Sequence, residues 1–116
     1  MDKVELIAKE QNQRAFENVF LIVRRLQEGD NEGANEVFVA EKNTFESRLR
    51  MGSRGATLTR LQGLGLIDEL DQEKLTIPGR SRLIQIEKII KSKLSDESLK
   101  VVEERSEVMN ERINRP

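Results

Sequence analysis

Between Arg50 and Arg60 the chain sets three arginines, Arg50, Arg54 and Arg60, among the hydroxyls of Ser53, Thr57 and Thr59. A guanidinium offers a planar fork of donors that fits phosphate oxygens or a guanine edge, and short hydroxyls reach either. If the stretch is helical, Leu58, Leu61 and Leu64 point inward, and Ser53, Ala56, Thr59, Arg60 and Gly63 lie on or near the far side. Thr57 falls at the flank. Arg54 lies near the buried edge by angle, yet at a first turn its long stem can reach outward. Lys74, Arg80 and Arg82 form a second basic group further along. The plainer account of each cation is a solvated face or a surface ion pair.

Charge by segment sharpens this pattern. The formal net charge is −1, far from the basic balance of a free-standing nucleic-acid binder. Residues 42–60 nonetheless hold five bases against the single acid Glu46, and residues 74–93 hold six against Glu87. Between them, residues 61–73 carry Asp68, Glu69, Asp71 and Glu73 and no base. Acids fill the first 41 residues and the tail. Such a polarised distribution orients a molecule toward a polyanion.

Other chemistries lack their parts. Cys and His are both absent, which removes the commonest zinc sites, Cys–His pairs and Ser–His triads. Gly63-Leu64-Gly65 lacks the Lys-Ser/Thr of a phosphate loop. Acid pairs such as Asp68/Glu69 and Glu103/Glu104 stand in highly charged contexts without the burial that tunes a general acid. The expectation is a non-enzyme with no cofactor and no metal. No apolar run approaches the length of a membrane span, and no leader pattern is present, so a cytoplasmic, nucleoid-associated chain is expected.

The basic stretches need elements to position them. Phe45 and Leu49 are spaced i, i+4, but Leu58, Leu61 and Gly65 keep a different phase. That change, with Gly52 and Gly55, predicts a break rather than one helix with two interior glycines, each costing up to about 1 kcal/mol. Ser53 is a good N-cap for the second helix. Two helices across a short glycine-bearing turn make a helix-turn-helix, whose second helix enters the major groove. Gly65 supplies a left-handed C-terminal position. Leu66–Leu70 and Lys74–Ile77 read as paired strands joined through Asp71-Gln72-Glu73.

RLQGLGLID and LTIPGR (residues 60–68 and 75–80) carry a resemblance to winged helix-turn-helix regulators of the MarR and PadR type, in element order over roughly residues 12 to 95. The resemblance implies a mainly α fold with a small β-wing, flanked by N- and C-terminal dimerisation helices. It implies double-stranded DNA binding by a dimeric regulator, a repressor, with helix 53–64 in the major groove. On that reading Arg50, Ser53, Arg54, Thr57, Thr59, Arg60, Lys74, Arg80 and Arg82 contact nucleic acid. The wing departs from the pattern: its acidic tip, Asp71-Gln72-Glu73, repels phosphate. That leaves the wing base for backbone contacts. The alternatives are a plasmid or phage centromere-binding partition protein, or a protein-interaction module using the acidic wing and C-terminal helix.

The remaining chain supplies bracing. Asp2 to Gln27 reads as one amphipathic helix, with Val4, Ala8, Gln11, Ala15, Val19, Ile22 and Leu26 in a stripe widened by Phe16, Phe20 and Val23. Glu28 to Gly33 reads as a polar loop. Glu36-Val37-Phe38-Val39-Ala40 reads as a short third strand, with a helix over Asn35 to Lys42 as the alternative. Arg82 to Leu94 forms an apolar helix. Ser95 is the expected N-cap of a last helix whose seam, Leu99, Val102, Ser106, Met109 and Ile113, packs on a second copy or back on the first helix. The division is thus 1–95 for the winged domain and 96–116 for a dimerisation or packing tail, with a homodimer, duplex DNA and a protein contact through the wing or tail as partners, and no membrane.

Overall fold

The computed structural model describes residues 3–50, 56–68 and 74–114; within these, the side chains at 4, 6–12, 42–50, 56–59 and 114 are not described. Five helices follow one another: α1 (Lys3–Gln27), α2 (Asn31–Arg50), α3 (Ala56–Gly63), α4 (Arg80–Lys91) and α5 (Asp96–Asn114).

α1 is the axis on which the other four helices pack. Its second half is apolar almost all round: Val19, Phe20, Leu21, Ile22 and Val23 are consecutive and all buried. A helix with no polar face between residues 19 and 23 must be enclosed. The enclosing residues are Ala34, Val37 and Phe38 of α2, Leu61 of α3, Leu83, Ile86 and Ile90 of α4, and Val102 of α5. Thus α5 closes the same core as residues 1–95. Its seam turns inward over four of its five members, with Val102 and Ser106 buried and Leu99 and Met109 packed beside them, while Ile113 is exposed. Of the two partners expected for that seam, the structure gives it α1.

Both ends of the first connection are shaped by side chains and a glycine. Gly29, at φ +78°, lets α1 end in paired bonds: the Asp30 N–H donates to the Arg25 carbonyl (2.8 Å) and the Gly29 N–H to that of Leu26 (3.2 Å). That is a Schellman cap. Asp30 then opens α2, its Oδ1 accepting from the Gly33 N–H at 2.9 Å. The connection is therefore Glu28 to Asp30, shorter than the loop expected through Gly33, because Asn31 to Gly33 already form the first turn of α2.

The expected strand at Glu36–Ala40 is corrected by α2. Ala34, Val37 and Phe38 are buried and Glu36, Val39 and Ala40 exposed, which is the 3.6-residue period of a helix and not the alternation of a strand. The short helix expected near Phe45 is the far end of this longer one. Its expected break near Gly52 lies outside the described residues.

The wing is corrected too. Where paired strands were expected at Leu66–Leu70 and Lys74–Ile77, the described residues make one isolated antiparallel bridge, Ile67 to Leu75. Two backbone bonds flank it, from the Asp68 N–H to the Lys74 carbonyl (3.1 Å) and from the Thr76 N–H to the Leu66 carbonyl (2.8 Å). With residues 36–40 helical, no third strand extends the bridge into a sheet among the described residues. The winged-helix fold class is therefore overturned: the described residues form no β-strand, and their architecture is four helices packed around α1.

Polar side chains of α1 tie its neighbours in pairs. Gln13 donates to the Lys93 carbonyl and accepts from the Ser95 N–H and Ser98 Oγ, fixing the turn between α4 and α5. Ser95 caps α5 as expected, its Oγ accepting from the Ser98 N–H at 3.1 Å. Arg25, only 1% exposed, donates to Asp30, Glu28, Ser106 and Asn110. Those bonds number five, equal to its N–H donors, so the buried guanidinium is fully satisfied.

Candidate nucleic-acid interface

α3 is set by Leu61, which is fully buried, and by its own cap. Gly65, at φ +74°, ends the helix as expected: the Leu66 N–H donates to the Leu61 carbonyl (2.9 Å) and the Gly65 N–H to that of Gln62 (3.1 Å). Leu61 and Leu66 are both buried, supplying the apolar contact that accompanies this cap. Arg60 then lies half-buried, its guanidinium carbon 4.3 Å from the centre of the Phe16 ring. Lys93 approaches the same ring at 5.8 Å. A groove of about 500 Å³ opens there, lined by Phe16, Arg60, Gly63, Leu64, Ile89 and Lys93 among others.

α4 presents the more extensive basic face. Leu83, Ile86 and Ile90 are buried against α1, so Ser81, Gln85 and Lys88 occupy the opposite, exposed side. Arg80 and Lys91 lie along one flank and Arg82 along the other, all exposed. The one acid of residues 74–93 is turned away from this face: Glu87 accepts from Gln27 at 2.8 Å and pairs with Arg24 at 3.9 Å, both on α1. The outward surface of α4 consequently carries cations and polar groups without a carboxylate, with Ile84 and Ile89, each 42% exposed, set between the outermost line and the flanks.

The start of α4 is also electrostatically unusual. Gly79 is its N-cap and makes no side-chain cap bond, and no acid stands in the first turn. Arg80 and Arg82 are there instead, at the end where the helix dipole disfavours cations. An arriving anion would relieve the bare N–H groups of that first turn.

The expected contact residues fall into three groups. Ser53 and Arg54, and the side chains of Arg50, Thr57 and Thr59, lie outside what is described. Arg60 is on the Phe16 ring. Lys74, Arg80 and Arg82 are exposed. Lys74 sits with Leu26, Asn31 and Ile77, whereas Arg60 sits with Phe16. Those positions on α1 are nearly three turns apart, about 15 Å, so the two cations do not share one cluster. Ser81, Gln85, Lys88, Lys91 and Lys93 were not among the expected contacts. The spacing of Leu83, Ile86 and Ile90 was the signal that places them outward.

No group of acids suited to a metal ion occurs among the described residues, and no described helix is long and apolar enough to cross a membrane. No family model, curated protein or solved structure matches this chain.

Proposed function

We propose that this chain binds double-stranded DNA as a sequence-selective regulator, with α4 as the helix that enters the major groove. The observation that carries the reading is the inward capture of Glu87 by Arg24 and Gln27, which leaves α4 an outward face of Ser81, Gln85 and Lys88 between basic flanks. An α-helix with its side chains is about 10–12 Å across, and the major groove is about 12 Å wide. Polar groups on the outermost line meet base edges, and Arg80, Lys91 and Arg82 on the flanks meet the two phosphate walls. The bare N-terminus of α4 offers its N–H groups to a further phosphate. Arg60 and Lys93, beside the Phe16 ring, extend the basic surface toward α3. RNA fits less well, because the chain has no Tyr or Trp on which unpaired bases stack.

Fluorescence-anisotropy titration of a labelled duplex over a range of salt concentrations tests this. Binding should weaken steeply with salt, and each phosphate contact removed should lower the log–log slope by about 0.9. The triple variant R82E/K88E/K91E, all exposed positions, should abolish binding while leaving the helical circular dichroism intact. Wild-type and variant chains that bind alike, or a wild-type chain that binds no duplex at low salt, would dismiss the proposal.

A further inference from the structure

The groove between α3 and α4 pairs apolar walls with a rim of one sign. Ile90, buried, and Phe16, half-buried, lie at its base. Leu64 stands at the end of α3, and Ile89, 42% exposed, faces the groove from α4. Gly63 keeps the α3 side open, since a Cβ there would meet nothing within 4 Å. Its volume of about 500 Å³ is that of a small-molecule site, which is mostly apolar with a few placed polar groups.

The charges say what kind of molecule fits. Arg60 and Lys93 lie 4.3 and 5.8 Å from the centre of the Phe16 ring, and so within about 10 Å of each other. No carboxylate lines the groove, and Lys93 makes no ion pair among the described residues. The groove between α2 and α5 is of similar size, but there Glu36 and Glu104 offset Arg105 and Arg112. An exposed ring face attracts a cation weakly, whereas a carboxylate gives it a charge-assisted hydrogen bond. Two like charges drawn to one ring therefore favour an anion between them. Lys93 can follow such an anion on its flexible four-carbon stem. Apart from the two cations, every described side chain lining the groove is apolar. A sugar or nucleotide would leave its hydroxyls against Leu64 and Ile89 without partners, at a cost in desolvation.

We propose that this groove binds a small amphipathic anion, an aliphatic chain ending in a single carboxylate. The head group sits between Arg60 and Lys93, and the chain lies along Leu64 and Ile89 above Phe16. The inference does not rest on the DNA reading, because it concerns a ligand of the protein alone.

Isothermal titration of octanoate into the full chain tests it, with octanol and acetate as parallel probes and circular dichroism confirming each variant's fold. Octanoate should bind one to one. Octanol, which lacks the charge, and acetate, which lacks the chain, should each bind roughly tenfold more weakly or worse. Each methylene added between hexanoate and octanoate should tighten binding by up to about fourfold. K93M should weaken octanoate roughly tenfold, and I89E should weaken it further by placing a carboxylate beside the head group. K100M, at an exposed lysine of α5, should bind as the wild type does. No saturable binding of octanoate up to about 1 mM overturns the proposal and leaves the groove to another partner. So does octanol or acetate binding as well as octanoate, or K93M binding no worse than K100M.

Discussion

Nη1 of Arg25 donates to both oxygens of Ser106, reaching Oγ at 3.0 Å and the backbone carbonyl at 3.1 Å. A guanidinium at the end of α1 is thereby locked to the middle of α5. Nε holds Asp30 Oδ2 at 2.9 Å, and Asp30 in turn opens α2. One buried cation joins three helices. Removing one partner of such a group strands the others, at about 3–5 kcal/mol for Arg25→Ala. Arg25→Lys should recover little, because an ammonium has three donors and no fork. Urea unfolding of both variants checks this. Ser106→Ala should cost less, about 1.5–3 kcal/mol.

Gly33→Ala should disturb the same node from the opposite side. A Cβ built on Gly33 would collide with the Asp30 carboxylate and lie 2.9 Å from Met109 Cε. Met109 can turn aside, but Asp30 is held by Arg25 and by the Gly33 N–H itself. The expected loss is about 1–3 kcal/mol, read as a lower urea midpoint with an unchanged slope.

Gly65 and Gly63 should respond in opposite directions, although a Cβ added at either would meet nothing within 4 Å. Gly65 is left-handed at φ +74°, so alanine there costs about 1–2 kcal/mol. Gly63 is helical, and alanine there gains up to about 1 kcal/mol. Thermal unfolding of the two single variants should bracket the wild type.

The Arg60 guanidinium over Phe16 should give a measurable coupling. A double-mutant cycle with Phe16→Leu and Arg60→Met should return about 0.5–1 kcal/mol. A coupling near zero would leave the ring as plain apolar packing.

The sequence made some of this legible through chemistry that acts locally. Ser95 with acids behind it announced the start of α5, Gly65 announced the end of α3, and the stripe of α1 named Ala15, Val19, Ile22 and Leu26, all buried. Glu36 to Ala40 misled because a short run centred on Val37-Phe38-Val39 looks alike as a strand or as part of a buried helix. Only Asp30, through its cap on α2, decides the matter, and a carboxylate beside two glycines also suits a loop. With that strand went the sheet, since the described residues make one bridge, Ile67 to Leu75. Arg25 was invisible for another reason: beside Arg24 it resembles any exposed basic pair, and two of its partners, Ser106 and Asn110, stand some eighty residues later. For the candidate interface, the basic count of residues 74–93 was plain, but the inward turn of Glu87 depends on the packing of α4 against α1.

The distance along the chain between Arg25 and Ser106 also sets an order of events during synthesis. A nascent chain carrying only the first four helices has a guanidinium destined for the interior and two of its acceptors, Ser106 and Asn110, not yet translated. That cation has reason to stay in water until α5 clears the ribosome, so the axial helix should settle only once α5 is free to close on it.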